Sequence, residues 1–184
     1  MKILITLVLS LGLVVDAQAS PGQAPEVQPL GYGGGFEWSL SVGEGCSLYV
    51  REYGDRSLPT RVVLHGGWGA EHSYLLDAFV GLEQHFHLVF YDQRGSLRSW
   101  KCDTESISVA RHVEDLEQLR LALGLERLDV IGHSMGAVLA GAYLRKYPER
   151  TGRLVMVSPG LPKLPLEPLE LALIRAVDRG LDCR

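Results

Sequence analysis

Hydrophobic and polar positions trade places with two different periods along this chain, and the period switches several times. Residues 39–42 and 46–53 alternate apolar with polar on either side of Gly43-Glu44-Gly45, which predicts an antiparallel hairpin with a glycine-containing turn. Arg61-Val62-Val63-Leu64 is a short β-branched run of the kind that forms a buried strand. Residues 72–84 then carry Leu75, Leu76, Phe79, Val80 and Leu82, a stripe that predicts one helix. A second buried strand is expected over 87–91. Val109, Val113, Leu116, Leu119 and Leu123 recur at steps of three and four, an amphipathic helix that Gly124 is placed to end. Residues 128–131 form a third strand closing at Gly132. A helix over 135–146 stops at Pro148, and 154–157 is a fourth core strand. A proline-rich stretch to Pro168 and one last apolar helix over 169–177 complete the pattern.

Strands alternating with helices imply right-handed βαβ units, hence an α/β fold with a mostly parallel sheet and helices on both faces. The opening hairpin adds antiparallel strands at one edge. The polar and glycine-rich segments come just after strand C-terminal ends, where open α/β sheets place their sites.

The ends of the chain read differently from its middle. Met1 and Lys2 precede an apolar run of about a dozen residues and then Ala17-Gln18-Ala19, the layout of a secretory signal peptide cleaved after Ala19. The run is short of the roughly 20 apolar residues that a bilayer span requires, so no stable membrane insertion is expected once it is removed. Residues 20–37, with Pro21, Pro25, Pro29 and Gly33-Gly34-Gly35, read as a linker. That divides the chain into 1–19 signal, 20–37 linker, 38–160 α/β domain and 161–184 the start of a further region. Export to the periplasm or outside the cell would let two of Cys46, Cys102 and Cys183 pair and leave one thiol over; which two is open.

The composition of the 184 residues is that of an ordinary globular protein, with 46% hydrophobic and 22% charged residues and a net charge of −4. No basic patch marks a nucleic-acid or anionic-lipid partner. No metal-ligand spacing and no dinucleotide fingerprint occurs, so neither metal nor cofactor is expected. Oligomeric state is not legible.

The candidate chemistry lies in two glycine-rich turns. Gly132-His133-Ser134-Met135-Gly136 is a G-x-S-x-G pentapeptide between a predicted strand and a predicted helix. A serine exposed on so sharp a turn needs a strained backbone, and glycines two residues either side remove the clashes. The plain alternative is a serine that merely caps the helix; both glycines together with the strand–turn–helix setting favour a nucleophile. The helix that follows would direct the Met135 amide at a developing oxyanion. His65-Gly66-Gly67-Trp68-Gly69 follows the first central strand and would supply a second donor, the Gly67 amide with Trp68 next, although an ordinary βα turn can also be glycine-rich.

With these residues the chain resembles the α/β-hydrolase superfamily from about residue 38 to 160. Asp92-Gln93-Arg94-Gly95-Ser96-Leu97-Arg98-Ser99 is similar to the Asp-Gln-Arg-Gly-x-Gly-x-Ser signature of its proline iminopeptidase-like branch, with Leu97 at the second glycine. His133-Ser134-Met135 is more typical of esterases and lipases of the superfamily. The resemblance implies acyl transfer from a small ester, amide or short peptide to Ser134, with a histidine as base and a carboxylate orienting it.

In that fold the acid and the histidine follow the serine in sequence. Here the last histidine is His133 itself. His65 is expected to serve loop structure, His72, His85, His87 and His112 to face solvent or pack, and His133 to point away from the serine. The expectation is therefore the N-terminal part of a larger hydrolase, with 161–184 the start of a cap region and little turnover on its own. The alternative is a non-catalytic remnant or binding module that kept the scaffold.

Overall fold

A computed structural model describes residues 35–43, 45–99 and 102–160. The expected signal peptide, most of the linker and the helix over 169–177 lie outside them. The described residues build one six-stranded sheet in the order β1-β2-β4-β3-β5-β6. Its strands are β1 Phe36–Ser41, β2 Ser47–Tyr53, β3 Thr60–Leu64, β4 His87–Tyr91, β5 Leu128–His133 and β6 Thr151–Val157. β1 and β2 form the predicted hairpin and β2 runs antiparallel to β4, while β4, β3, β5 and β6 are mutually parallel. β1 takes in the last two residues of the expected linker, because Phe36 and Glu37 continue the ladder opposite Glu52 and Arg51.

Among the described residues, two α-helices, α1 Val109–Ala122 and α2 Met135–Lys146, cover the sheet. Both lie on one face of it. Val113, Leu116 and Leu119 of α1 and Leu139, Ala140 and Tyr143 of α2 share one buried cluster with Val62, Leu64, Val89 and Val130. The opposite face, with Val63, Leu88 and Phe90, is covered by Leu75, Leu76 and Phe79. These belong to a 3₁₀ segment, His72–Phe79. Strand order explains the split. The chain steps from β3 to β4 in one direction across the sheet, then from β4 past β3 to β5 in the other, and right-handed crossovers of opposite direction fall on opposite faces.

The single helix expected over 72–84 is instead two 3₁₀ pieces, His72–Phe79 and Leu82–Gln84. Gly81 between them adopts φ +90°, which no α-helical ladder accommodates. Leu75, Leu76 and Phe79 satisfy the second cluster by themselves, so Val80 stays exposed without loss. A disulfide joins Cys46 at the hairpin turn to Cys102 in the loop before α1. No helix among the described residues is long and apolar enough to cross a membrane.

Candidate active site

β3 and β5 are neighbours in the middle of the sheet, and their C-terminal ends launch the two glycine-rich turns side by side. Ser134 follows directly on β5 with φ +52° and ψ −118°, a left-handed backbone that a non-glycine residue rarely adopts. Its own N–H donates to Val157 O at 2.9 Å, and its carbonyl accepts from Ala137 N and Gly160 N, each at 3.1 Å. The elbow is thereby tied to the end of β6 as well as to α2. The flanking glycines are sterically required. A methyl group on Gly136 would lie 2.4 Å from Leu64 O, and one on Gly132 would lie 2.7 Å from Ala137 Cα. Met135 is the first residue of α2, where position alone leaves the amide without an intrahelical acceptor.

The loop after β3 passes just as closely. A methyl group on Gly66 would sit 2.7 Å from Ser134 Cβ and 3.0 Å from His133 Nδ1. Gly67 has φ +71°, and both it and Trp68 are exposed. His65 fixes the plane of the Gly66–Gly67 peptide. The Gln93 backbone N–H can only donate, and it points at His65 Nε2 at 3.2 Å, so that nitrogen accepts. The ring hydrogen therefore sits on Nδ1 and donates to Gly66 O at 3.0 Å. In a trans peptide the N–H lies opposite the C=O, so the Gly67 amide is turned away from His65. Burial lowers the His65 pKa and keeps the imidazole in this neutral form.

The Asp92-Gln93-Arg94 run serves this loop rather than the reaction. Gln93 also donates through Nε2 to His65 O at 2.9 Å. Arg94 makes a two-point ion pair with Asp115 of α1, both buried. Asp92 accepts from the His72 backbone and from His72 Nδ1, at 3.0 and 2.7 Å. Glu71, His72 and Asp92 bring metal-ligating atoms within 4.8 Å of one another, and His72 Nδ1 and Asp92 already share a 2.7 Å hydrogen bond.

All six histidines are described, and each is engaged elsewhere or distant in the fold. His72, expected to face solvent or pack, is fully buried against Asp92. His87 is held between Glu52 at 2.9 Å and Thr60 at 3.1 Å, at the far end of β3 and β4. His85 ends the short turn after Gly81. His112 stacks its ring on Trp68, with centroids 4.8 Å apart and planes 7° from parallel. Burial, with Arg94 and His65 nearby, lowers its pKa to about 4. His133 meets the Tyr74 hydroxyl at 2.8 Å through Nδ1.

Tyr74 and Gln93 are the contributors to this site that the sequence reading missed. Gln93 was visible within a signature but not as the residue that sets a tautomer. Tyr74 sat inside an apolar stripe, and no local signal marks it.

A family model described as alpha/beta hydrolase fold matches residues 60–178. A proline iminopeptidase of Xylella fastidiosa is 35% identical over 133 residues, which cover 72% of this chain and 41% of that protein. The solved structure of a proline iminopeptidase-related protein of Thermus thermophilus is similar with a TM-score of 0.62 at 35% identity, over 68% of this chain and 45% of that one. A hydrolase of Pseudomonas aeruginosa gives a TM-score of 0.63 at 25% identity, over 80% and 54%. The matches thus span about half the length of these relatives, or less.

Proposed function

We propose, from the premise that this chain belongs to the α/β-hydrolase family and is proline iminopeptidase-like, that Ser134 is the nucleophile of an acyl-transfer hydrolase acting on a small ester, amide or short peptide. The observation that carries the reading is the Ser134 backbone. A left-handed serine costs on the order of 1–3 kcal/mol, and this one persists only because Gly66, Gly132 and Gly136 make room for it. A capping serine needs no such conformation, and the Ser134 side chain makes no capping bond to α2.

In the reaction, Ser134 Oγ bonds to the substrate carbonyl carbon while its proton passes to a general base. The carbonyl oxygen becomes an oxyanion that accepts from the Gly67 and Met135 amides. Collapse expels the alcohol or amine, which takes up the proton. Water then attacks the acyl-serine by the same route in reverse and restores Ser134.

No histidine follows Ser134 in these 184 residues, and of those before it His65, His72 and His133 have the hydrogen-bond partners described above. In the enzyme reading, the base and its orienting acid would be supplied by polypeptide outside these 184 residues. The same observation favours a second reading, a non-catalytic remnant or binding module. Sequencing the transcript through and past codon 184 separates them. An open frame of about a hundred further residues carrying an Asp or Glu and then a His supports the enzyme; a stop codon supports the remnant. For the chain alone, hydrolysis of a small aryl ester is expected to be weak and to vanish in Ser134→Ala. Turnover near that of intact hydrolases would overturn the missing-base reading.

We further propose that the protein is exported with residues 1–19 removed. The Cys46–Cys102 disulfide supports an oxidising compartment. N-terminal sequencing of secreted material should begin at Ser20; a cytoplasmic product starting at Met1 would refute this.

A further inference from the structure

Resting on the serine-hydrolase reading, we propose that Tyr74 is a positioning residue for the oxyanion donors: its hydroxyl clamps the loop after β3 onto the elbow after β5. The two donors of the proposed site, Gly67 and Met135, come from different turns, so their separation is not fixed by either turn alone. Below them the strands are paired as far as Leu64 and Gly132. Above that pair, the Tyr74 hydroxyl spans the gap. It accepts from Gly66 N at 2.6 Å and lies 2.8 Å from His133 Nδ1. Its own hydrogen can go to Nδ1 in the His133 tautomer protonated on Nε2, and in the other tautomer Nδ1–H donates to the hydroxyl oxygen; either way the contact joins the two turns.

Tyr74 is 47% exposed, but its neighbours in the chain tie it down. The residues beside it are anchored: His72 by two bonds to Asp92, Ser73 by its backbone bond to Glu71, and Leu75 and Leu76 by burial in the second cluster. A half-exposed aromatic ring so firmly based serves as a strut. Its two bonds also complete the control of the loop. The Gly66 carbonyl is held by His65 and the Gly66 amide by Tyr74, so both peptides flanking Gly66 are fixed. Gly66 N–H is consumed and does not compete with Gly67 for an oxyanion. Donor placement matters here at the sub-ångström level, since donors act at about 2.7–3.1 Å from the oxyanion.

The test is Tyr74→Phe in the full chain, which keeps the ring and deletes the hydroxyl. Two readouts are taken. The first is amide hydrogen exchange by NMR: protection of Gly66 should fall at least tenfold, while Val63 and Val89 in the central strands keep theirs. The second is the rate at which Ser134 is acylated by p-nitrophenyl acetate at alkaline pH, followed by intact mass with Ser134→Ala as blank. Its saturating rate should fall about tenfold with half-saturation unchanged, less than the 10²–10³ loss for deleting a donor outright. Unchanged Gly66 protection, an unchanged acylation rate, or loss of protection across all strands would each overturn the proposal. If Ser134 of the unsubstituted chain is not acylated at all, the hydrolase reading falls instead. In that case a Gly66-specific loss of protection still upholds the clamp, and its absence still refutes it.

Discussion

His112 offers a quantitative handle on how the loop beside Ser134 is supported. Its ring is 3% exposed, stacked on Trp68, and its Nδ1 has no hydrogen-bond partner among the described residues. Burial is the largest cause of its low pKa, and the Arg94 guanidinium and His65 add to it, so the folded protein holds the imidazole neutral down to about pH 4. In the unfolded chain the same ring titrates at about 6.5. Between those values the unfolded state binds one more proton than the native state, so stability falls as pH is lowered through this window and is fully present above it. The 2.5-unit difference corresponds to about 3 kcal/mol at its limit, and to about 2 kcal/mol between pH 7 and pH 5. The perturbation is His112→Phe, which keeps a ring against Trp68 and removes the titration. The assay is urea unfolding at pH 7, 6 and 5. Any constant cost of the substitution drops out, because only the change with pH is compared. Carboxylates such as Glu52, Glu114 and Glu117 also titrate on unfolding, but they do so in both proteins. The unsubstituted chain should lose about 2 kcal/mol more than the variant from pH 7 to 5. Parallel losses would refute the assignment of a buried neutral imidazole beneath the loop.

Three further expectations follow from named contacts. Replacing Arg94 by Met leaves Asp115 buried and unpaired, and should cost about 3–5 kcal/mol in urea unfolding, whereas Arg94→Met with Asp115→Leu should recover most of it; equal losses in the two variants would contradict this. Ser134→Gly should raise stability by about 1 kcal/mol while abolishing acylation, since glycine occupies φ +52° without strain; a lowered melting temperature would argue against a strained elbow. The Cys46–Cys102 bridge closes a separation of 56 residues, so Cys46→Ser with Cys102→Ser should cost up to about 4 kcal/mol at equilibrium, and an unchanged urea midpoint would count against the pairing.

Much of the sheet was legible because its strands are short β-branched runs with abrupt glycine-rich ends. Val62, Val63 and Leu64 read as one continuous apolar run because successive side chains enter the two clusters on opposite faces. The elbow was legible as a five-residue pattern in a strand–turn–helix setting, although only the Gly132 clash is local and the Gly136 clash is with Leu64 of the neighbouring strand. What escaped the sequence depends on residues far apart along it. The expected helix over 72–84 has the right stripe, yet Gly81 and a cluster satisfied by only three side chains made it two 3₁₀ pieces. The placement of α1 and α2 on one face follows from strand order, which local periodicity does not encode. Tyr74 and His133 are 59 residues apart, and nothing near either one signals that they meet.

The Asp92-Gln93-Arg94-Gly95 run shows how a motif can carry function without touching the chemistry. Arg94 fixes this turn to α1 through Asp115, which sets where the Gln93 amide lies. That amide, being only a donor, decides which nitrogen of His65 accepts, and so which one donates to Gly66 O. The trans geometry of the next peptide then decides where the Gly67 N–H points. Each step is a local constraint of one or two bonds, and together they carry orientation from a buried ion pair to a proposed oxyanion donor. A substitution at Gln93 that spares the backbone should therefore matter less than one at Arg94 that moves it, because the directing group is the Gln93 N–H rather than its side chain.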